Sequence, residues 1–180
     1  MAVELEDAHL VTRAKAGRLD AFEELVRRHR ERVYRVALRM LADAGDAEDA
    51  TQDAFVQAWR TLADFRGDSS FPTWMYRIVT NRCLNVLRAR RPVEPLPASL
   101  SAPASRPDRI VEASAQVEYL KRAIARLTPE QRAPLVLREL EGCSYEQIAQ
   151  VLDLSVPAVK SRLHRARLEL VAAMREWRDG

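Results

Sequence analysis

Glycine is scarce in this chain, five residues in 180, and nowhere do β-branched residues alternate with polar ones over a strand's length. Those absences remove the period-2 pattern that a sheet needs, and with 31% charged residues they leave an all-α protein as the expectation. Cysteine is nearly missing as well. Cys83 and Cys143 stand far apart, without a Cys-x-x-Cys or histidine spacing, so neither zinc nor a disulfide framework is indicated. The apolar runs are too short to span a bilayer, and the acidic N-terminus lacks a signal peptide's apolar stretch, which implies a soluble, cytoplasmic chain. The three histidines, His9, His29 and His164, have no carboxylates or cysteines arranged around them for catalysis. There is no glycine-rich phosphate loop either. Neither an enzyme nor a bound cofactor or metal is expected.

What the chain has is charge, unevenly placed. The net charge is only +3. Yet residues 43–53 carry Asp43, Asp46, Glu48, Asp49 and Asp53 with no base, and residues 77–91 carry Arg77, Arg82, Arg88, Arg90 and Arg91 with no acid. Such separation points to two partners, one basic and one anionic.

The most informative stretch is SYEQIAQVLDLSVPAVKSRLHRARLEL, residues 144–170. Tyr145, Ile148, Ala149 and Leu152 recur at helical spacing, Asp153, Leu154 and Ser155 interrupt, and Val159, Leu163, Ala166 and Leu170 resume on one face. Two short helices joined by a three-residue turn make a helix-turn-helix. Ser144 and Gln147 form a capping box, Ser155 can cap the second helix, and Pro157 falls in its first turn, where a missing N–H costs least. Opposite the apolar stripe lie Pro157, Ala158, Lys160, Ser161, His164 and Arg165, flanked by Arg162 and Arg167. That polar, basic face suits a DNA major groove.

Upstream, a first helix is expected over about residues 7–16, ending at Gly17. Asp20 and Glu23 resemble a capping box for a long amphipathic helix that buries Phe22, Leu25, Val26, Val33, Val36, Ala37 and Met40. Its arginines, Arg27, Arg28, Arg30, Arg32 and Arg35, read as a solvated face. Gly45 breaks that pattern and Asp46 can cap a third helix. This one buries Ala50, Phe55, Ala58, Trp59 and Leu62 and turns Glu48, Asp49, Gln52 and Asp53 outward, next to no evident base. After the loop at residues 65–70, Ser70 caps a fourth helix with Pro72 in its first turn. Met75, Ile78, Val79 and Val86 face its core. Arg77, Asn81, Asn85 and Arg88 form one stripe beside Trp74 and Tyr76, basic groups interleaved with aromatics, as suits unstacked DNA bases. Arg82 has no evident role. Residues 91–107 hold five of the nine prolines, a semi-stiff linker that fixes no orientation between the domains it joins. Beyond it, Ile110, Val117, Leu120, Ile124 and Leu127 mark a further helix. Thr128, Pro129 and Gln131 then start another, with Pro134 a kink near its start. Domain boundaries follow at 1–90, 91–108 and 109–180.

Taken together, DAEDATQDAFVQAWRTLADFRGDSSFPTWMYRIVTNRCLNVLRARR, the proline-rich linker and LTPEQRAPLVLRELEGCSYEQIAQVLDLSVPAVKSRLHRARLEL resemble a bacterial extracytoplasmic-function (ECF) sigma factor, over about residues 10–177. The resemblance implies a dissociable subunit of RNA polymerase that recognises promoters and opens them, of the smallest branch, without a third DNA-binding domain. It implies docking of the acidic helix on a coiled coil of the largest polymerase subunit through Asp49, Gln52, Asp53 and Trp59. It implies single-strand reading of the −10 element, with one base flipped into a loop pocket, through Arg66, Asp68, Ser69, Phe71, Arg77, Asn81, Asn85 and Arg88. Duplex reading of the −35 element falls to Ser155, Pro157, Ala158, Lys160, Ser161, Arg162, His164 and Arg165. An anti-sigma factor is a further implied partner. Asp153 stands where the family's turn usually has glycine, and Thr51 and Asp53 replace a commoner aliphatic residue and glutamate. The alternative is a self-sufficient regulator that binds duplex DNA as a dimer through the same helix-turn-helix. Such a protein would need an exposed apolar seam or a ligand domain.

Overall fold

The computed structural model describes residues 2–90 and 109–179, with side chains for 6–90 and 115–178. The expected linker and the side chain of Ile110 lie outside these residues. Eight α-helices and one short 3-10 turn, with no strand, make up the described residues. They are α1 (Ala2–Lys15), α2 (Leu19–Leu41), α3 (Ala44–Thr61), the turn Leu62–Asp64, α4 (Phe71–Ala89), α5 (Arg109–Arg126), α6 (Pro129–Glu139), α7 (Tyr145–Leu152) and α8 (Val156–Asp179). The all-α expectation holds.

In the first group of helices, α2 is the hub, packed on α1, α3 and α4. Leu25, Val33, Val36 and Met40 of α2 meet Met75, Val79 and Cys83 of α4, all with almost no exposed surface. The buried face of α3 is largely alanine, Ala47, Ala50, Ala54 and Ala58, so its backbone approaches closely. The α3 cap differs from the expected one. Asp43, not Asp46, is the N-cap and accepts from the Asp46 N–H at 2.8 Å. Gly45 sits inside the first turn, where a Cβ would stand 3.3 Å from the Asp43 carboxylate, so a glycine leaves the cap room. Helix α2 likewise starts at Leu19 with Arg18 at its N-cap position and no side-chain cap. Asp20 lies in the first turn, where the helix dipole favours an acid, and pairs with Arg13 at 2.7 Å.

The second group, α5 to α8, holds the helix-turn-helix as expected. The Ser144–Gln147 box is formed in both directions, at 2.8 and 3.1 Å. Ser155 accepts from Ala158 N–H at 3.3 Å. Asp153 ends α7 in the left-handed region, φ +54°. Ile148 and Val151 of α7 bury against Val159, Leu163 and Ala166 of α8. On α5 the buried stripe is Tyr119, Ala123 and Leu127, while Val117 and Leu120 are exposed. Two overlapping stripes satisfy helical spacing there, and the contact of Tyr119 with Trp177 on α8, centroids 6.2 Å apart, selects one.

The two groups pack against each other, α7 on α4 and α6 on α2, and their buried residues form one continuous apolar cluster from Leu10 to Ala166.

Candidate nucleic-acid interface

The acidic face of α3 is more occupied than its sequence suggests. Asp43 caps the helix, and Asp46 pairs with Arg90 and Glu48 with Arg30. Asp53 pairs with Arg82 at 2.6 Å, contrary to the expectation of no nearby base, and the same contact gives Arg82 its role. Asp49 and Gln52 are exposed and make no ion pair or side-chain hydrogen bond among the described residues. Trp59, expected in the core, packs against Phe22 at 4.9 Å yet keeps 39% of its surface exposed. Val56, which sequence reading passed over, is also exposed. At 100° per residue, Asp49, Gln52, Asp53, Val56 and Trp59 share one outward face, an acidic rim around an apolar centre.

On α4, Arg77, Asn81, Asn85 and Arg88 are all exposed on one stripe. Arg88 donates to the Asn85 side-chain carbonyl at 3.2 Å, leaving the Asn85 amide N–H groups and most of the Arg88 fork outward. Ser70 caps the helix as expected, accepting from Thr73 N–H at 3.3 Å, and fixes how the loop enters it. In that loop Arg66 and Asp68 are exposed and Ser69 half-buried. Two aromatics lie deeper than their sequence positions suggest. Phe71 is 3% exposed, packed between His29 and Trp74, and belongs to the core. Tyr76 is also buried, and its hydroxyl donates to Glu141. Trp74 stacks on Phe65 at 4.8 Å and is only half-buried, so it alone of the expected aromatics keeps a ring surface toward the stripe.

Behind the loop stands α1, which sequence reading gave no part in the site. A cavity of about 120 Å³ opens between Asp7, Ala8 and Val11 of α1 and Gly67, Ser69 and Ser70 of the loop. Lys15 donates to the Phe65 carbonyl and ties α1 to the loop's start. Below, the His29 Nε2–H donates to the Asp7 carboxylate at 2.8 Å. Burial holds the His29 imidazole below its ordinary value, outweighing the raising effect of Asp7, so the ring is neutral at pH 7.

The recognition face of α8 is open. Pro157, Lys160, Ser161, His164 and Arg165 are exposed, as is Ser155 ahead of them, with Ala158 and Arg162 half-buried at its edges. Lys160 lies over the Tyr145 ring, 5.3 Å from its centroid. Arg167 is held by Glu139 at 2.6 Å, leaving Arg162 and Arg165 as the arginines of this face. Among the described residues no group of histidines, cysteines and carboxylates could hold a metal, and no helix is long and apolar enough to cross a membrane.

Comparison with known proteins identifies the family. The Sigma-70 region 2 profile matches residues 25–93 and the Sigma-70 region 4 profile residues 118–170. The RNA polymerase sigma-H factor of Pseudomonas aeruginosa is 36% identical, and the ECF RNA polymerase sigma-E factor of Escherichia coli 37%, each over 93% of both chains. Among solved structures, CnrH in complex with the cytosolic domain of CnrY matches with TM-score 0.74 and 30% identity, covering 95% of this chain and 98% of the other. The sigma factor RpoE of Bartonella quintana, in complex with the anti-sigma factor NepR, shares the fold at TM-score 0.67 and 23% identity, over 86% and 96%. These relationships support the sigma reading and not the self-sufficient dimeric regulator. The chain belongs to the ECF RNA polymerase sigma factors.

Proposed function

We propose that the α3 face docks core RNA polymerase, the α4 stripe with its loop reads an opened −10 element, and α8 reads a −35 duplex. One observation carries the reading: two helical groups of one chain each present an exposed basic face, amide-bearing on α4, while a third face is acidic and apolar. A duplex-only regulator has no use for the α4 stripe.

The docking set is Asp49, Gln52, Asp53 and Trp59, to which the exposed Val56 is added. The −10 set is Arg66, Asp68, Ser69, Arg77, Asn81, Asn85 and Arg88, with Trp74 in place of the buried Phe71 as the ring on which a base stacks. The cavity between α1 and the loop is where a flipped base goes. At −35, Lys160, Ser161, His164 and Arg165 reach base edges, and Ser155, Pro157, Ala158 and Arg162 contact backbone or set the approach. Domain boundaries are placed at 1–90, 91–108 and 109–180. The chain acts in the cytoplasm by recognition and catalyses no reaction of its own. An anti-sigma protein is a further partner, a reading supported by the fold shared with RpoE, which was solved with one.

A gel shift with and without core polymerase tests the whole assignment. Alone, the chain is expected to bind promoter duplex weakly and with steep salt dependence. With core polymerase it is expected to bind specifically, and permanganate should report unpaired thymines near −10. Tight, sequence-specific, dimeric binding without polymerase would sink the reading.

A further inference from the structure

A groove of about 500 Å³ runs between α3 and α4, lined by Gln57 and Arg60 on one side and by Asn81, Arg82 and Asn85 on the other. Asn81 and Asn85 belong to the exposed α4 stripe, so the groove is the side of that stripe that faces α3. At about 100° per residue the stripe runs round α4 from Arg77 through Asn81 and Asn85 to Arg82, an arc of about 140°. Gln57 and Arg60 are exposed, and their side chains make no hydrogen bond or ion pair among the described residues. Arg82 is held by Asp53 at 2.6 Å in a pair that leaves about half of each side chain exposed. Asp53 is thus shared: it stands on the acidic face of α3 and it also lines the groove. Two arginines against one carboxylate leave the groove cationic, and its amides add donors.

We infer that this groove is the backbone track of a single DNA strand, in which Arg60 and Arg82 bind phosphate oxygens, and that Asp53 restrains the track by competing with phosphate for the Arg82 guanidinium. The inference rests on the reading of α4 given above and adds Gln57, Arg60 and Arg82 to it. Bases laid on the stripe carry their phosphates to one side, and the α3 side offers guanidinium forks, which fit phosphate oxygens in pairs. A phosphate that reaches Arg82 also approaches the Asp53 carboxylate, so the two anions are alternative partners of one cation. Because the pair is exposed it is weak, and exchanging one anion for the other moves nothing buried. Asp53 therefore lowers affinity for the strand without closing the groove.

Fluorescence anisotropy of a short fluorescein-labelled single-stranded DNA of mixed sequence, titrated with the full chain at low salt, tests this. Arg60→Ala is expected to weaken binding several-fold and to lower the slope of log affinity against log salt by about 0.7, the value of one phosphate contact on a single strand. Asp53→Asn is expected to tighten binding a few-fold, roughly what an exposed ion pair withholds. Adding Arg82→Ala should remove that gain, and Arg82→Lys, which keeps the charge, should retain most of it. Glu23→Gln, exposed on α2 and unpaired among the described residues, changes net charge by the same amount and should bind as wild type. Melts followed by circular dichroism check that these exposed substitutions leave the fold intact. Equal gains in Glu23→Gln and Asp53→Asn reduce the effect to net charge and overturn the inference. So does wild-type binding in Arg60→Ala with no gain in Asp53→Asn; the α4 reading then stands alone if Asn81→Ala still weakens binding, and falls as well if Asn81→Ala and Arg77→Ala are both silent. Loss of core polymerase affinity in Arg60→Ala, with oligonucleotide binding unchanged, also overturns the track and gives the groove to polymerase.

Discussion

Asp53→Lys separates a folding role from a docking role because the structure bounds what folding can lose. Asp53 and Arg82 meet at 2.6 Å, but their side chains keep 52% and 47% of their surface exposed. A pair so exposed contributes about 0–1 kcal/mol. Reversing one charge adds a repulsion of about 1 kcal/mol at 4 Å in water. The stability loss should stay below about 2 kcal/mol, a fall in Tm of less than about 8 °C for a chain of this size. Arg82→Ala alone should lose about 1 kcal/mol or less, and adding it to Asp53→Lys should recover the repulsion. Polymerase affinity should follow a different pattern. If Asp53 belongs to the docking face, Asp53→Lys and the double variant both weaken core binding by tenfold or more, about 1.4 kcal/mol, while Arg82→Ala stays near wild type. Fluorescence anisotropy of labelled chain titrated with core polymerase, beside melts followed by circular dichroism, gives both patterns. Wild-type affinity in the double variant would refute the docking role. So would a loss in Arg82→Ala equal to that of Asp53→Lys, since the pair would then matter only for local structure.

At the recognition helix, Arg165→Ala should change preference at one or two −35 positions, a bidentate base contact discriminating by about 1–3 kcal/mol, whereas Arg162→Ala should weaken all promoters alike; a promoter-library selection reads this, and uniform losses for both would assign Arg165 to the backbone. His29 has a folded pKa below its ordinary 6.5 because it is buried, so the unfolded chain takes up the proton first. Its contribution is complete above about pH 6.5 and is lost as pH falls toward the folded value, and His29→Gln should flatten urea midpoints measured between pH 7 and about 5.5. Burial pushes the Cys83 thiol up to about 12 and the Cys143 thiol up to about 11, so both should resist alkylation at pH 8 until the chain unfolds, as followed by mass spectrometry. Leu163→Ala, at 1% exposure in the helix-turn-helix, should cost about 2–5 kcal/mol and abolish −35 binding together with the fold of that unit, whereas Ser161→Ala on the opposite face should leave the melt unchanged.

Much of the fold was legible because its signals are local. The Ser144–Gln147 box, Ser70 with Pro72, the left-handed Asp153 and the three-residue turn each involve residues within four positions of one another, and all are formed as expected. Misplaced starts also have local causes. Asp46 read as the cap of α3, whereas Asp43, three residues earlier, serves and takes the Asp46 N–H. What could not be read is pairing across the chain. Arg35 looked solvated because its partner lies 106 positions away, and Phe71 and Tyr76 looked available because nothing local shows that His29 and Glu141 meet them. The α3 acids looked free for the same reason, since Arg30, Arg82 and Arg90 come from other helices. The part of α1 in the loop cavity was equally invisible from spacing, since Asp7 and Gly67 are joined only by the fold.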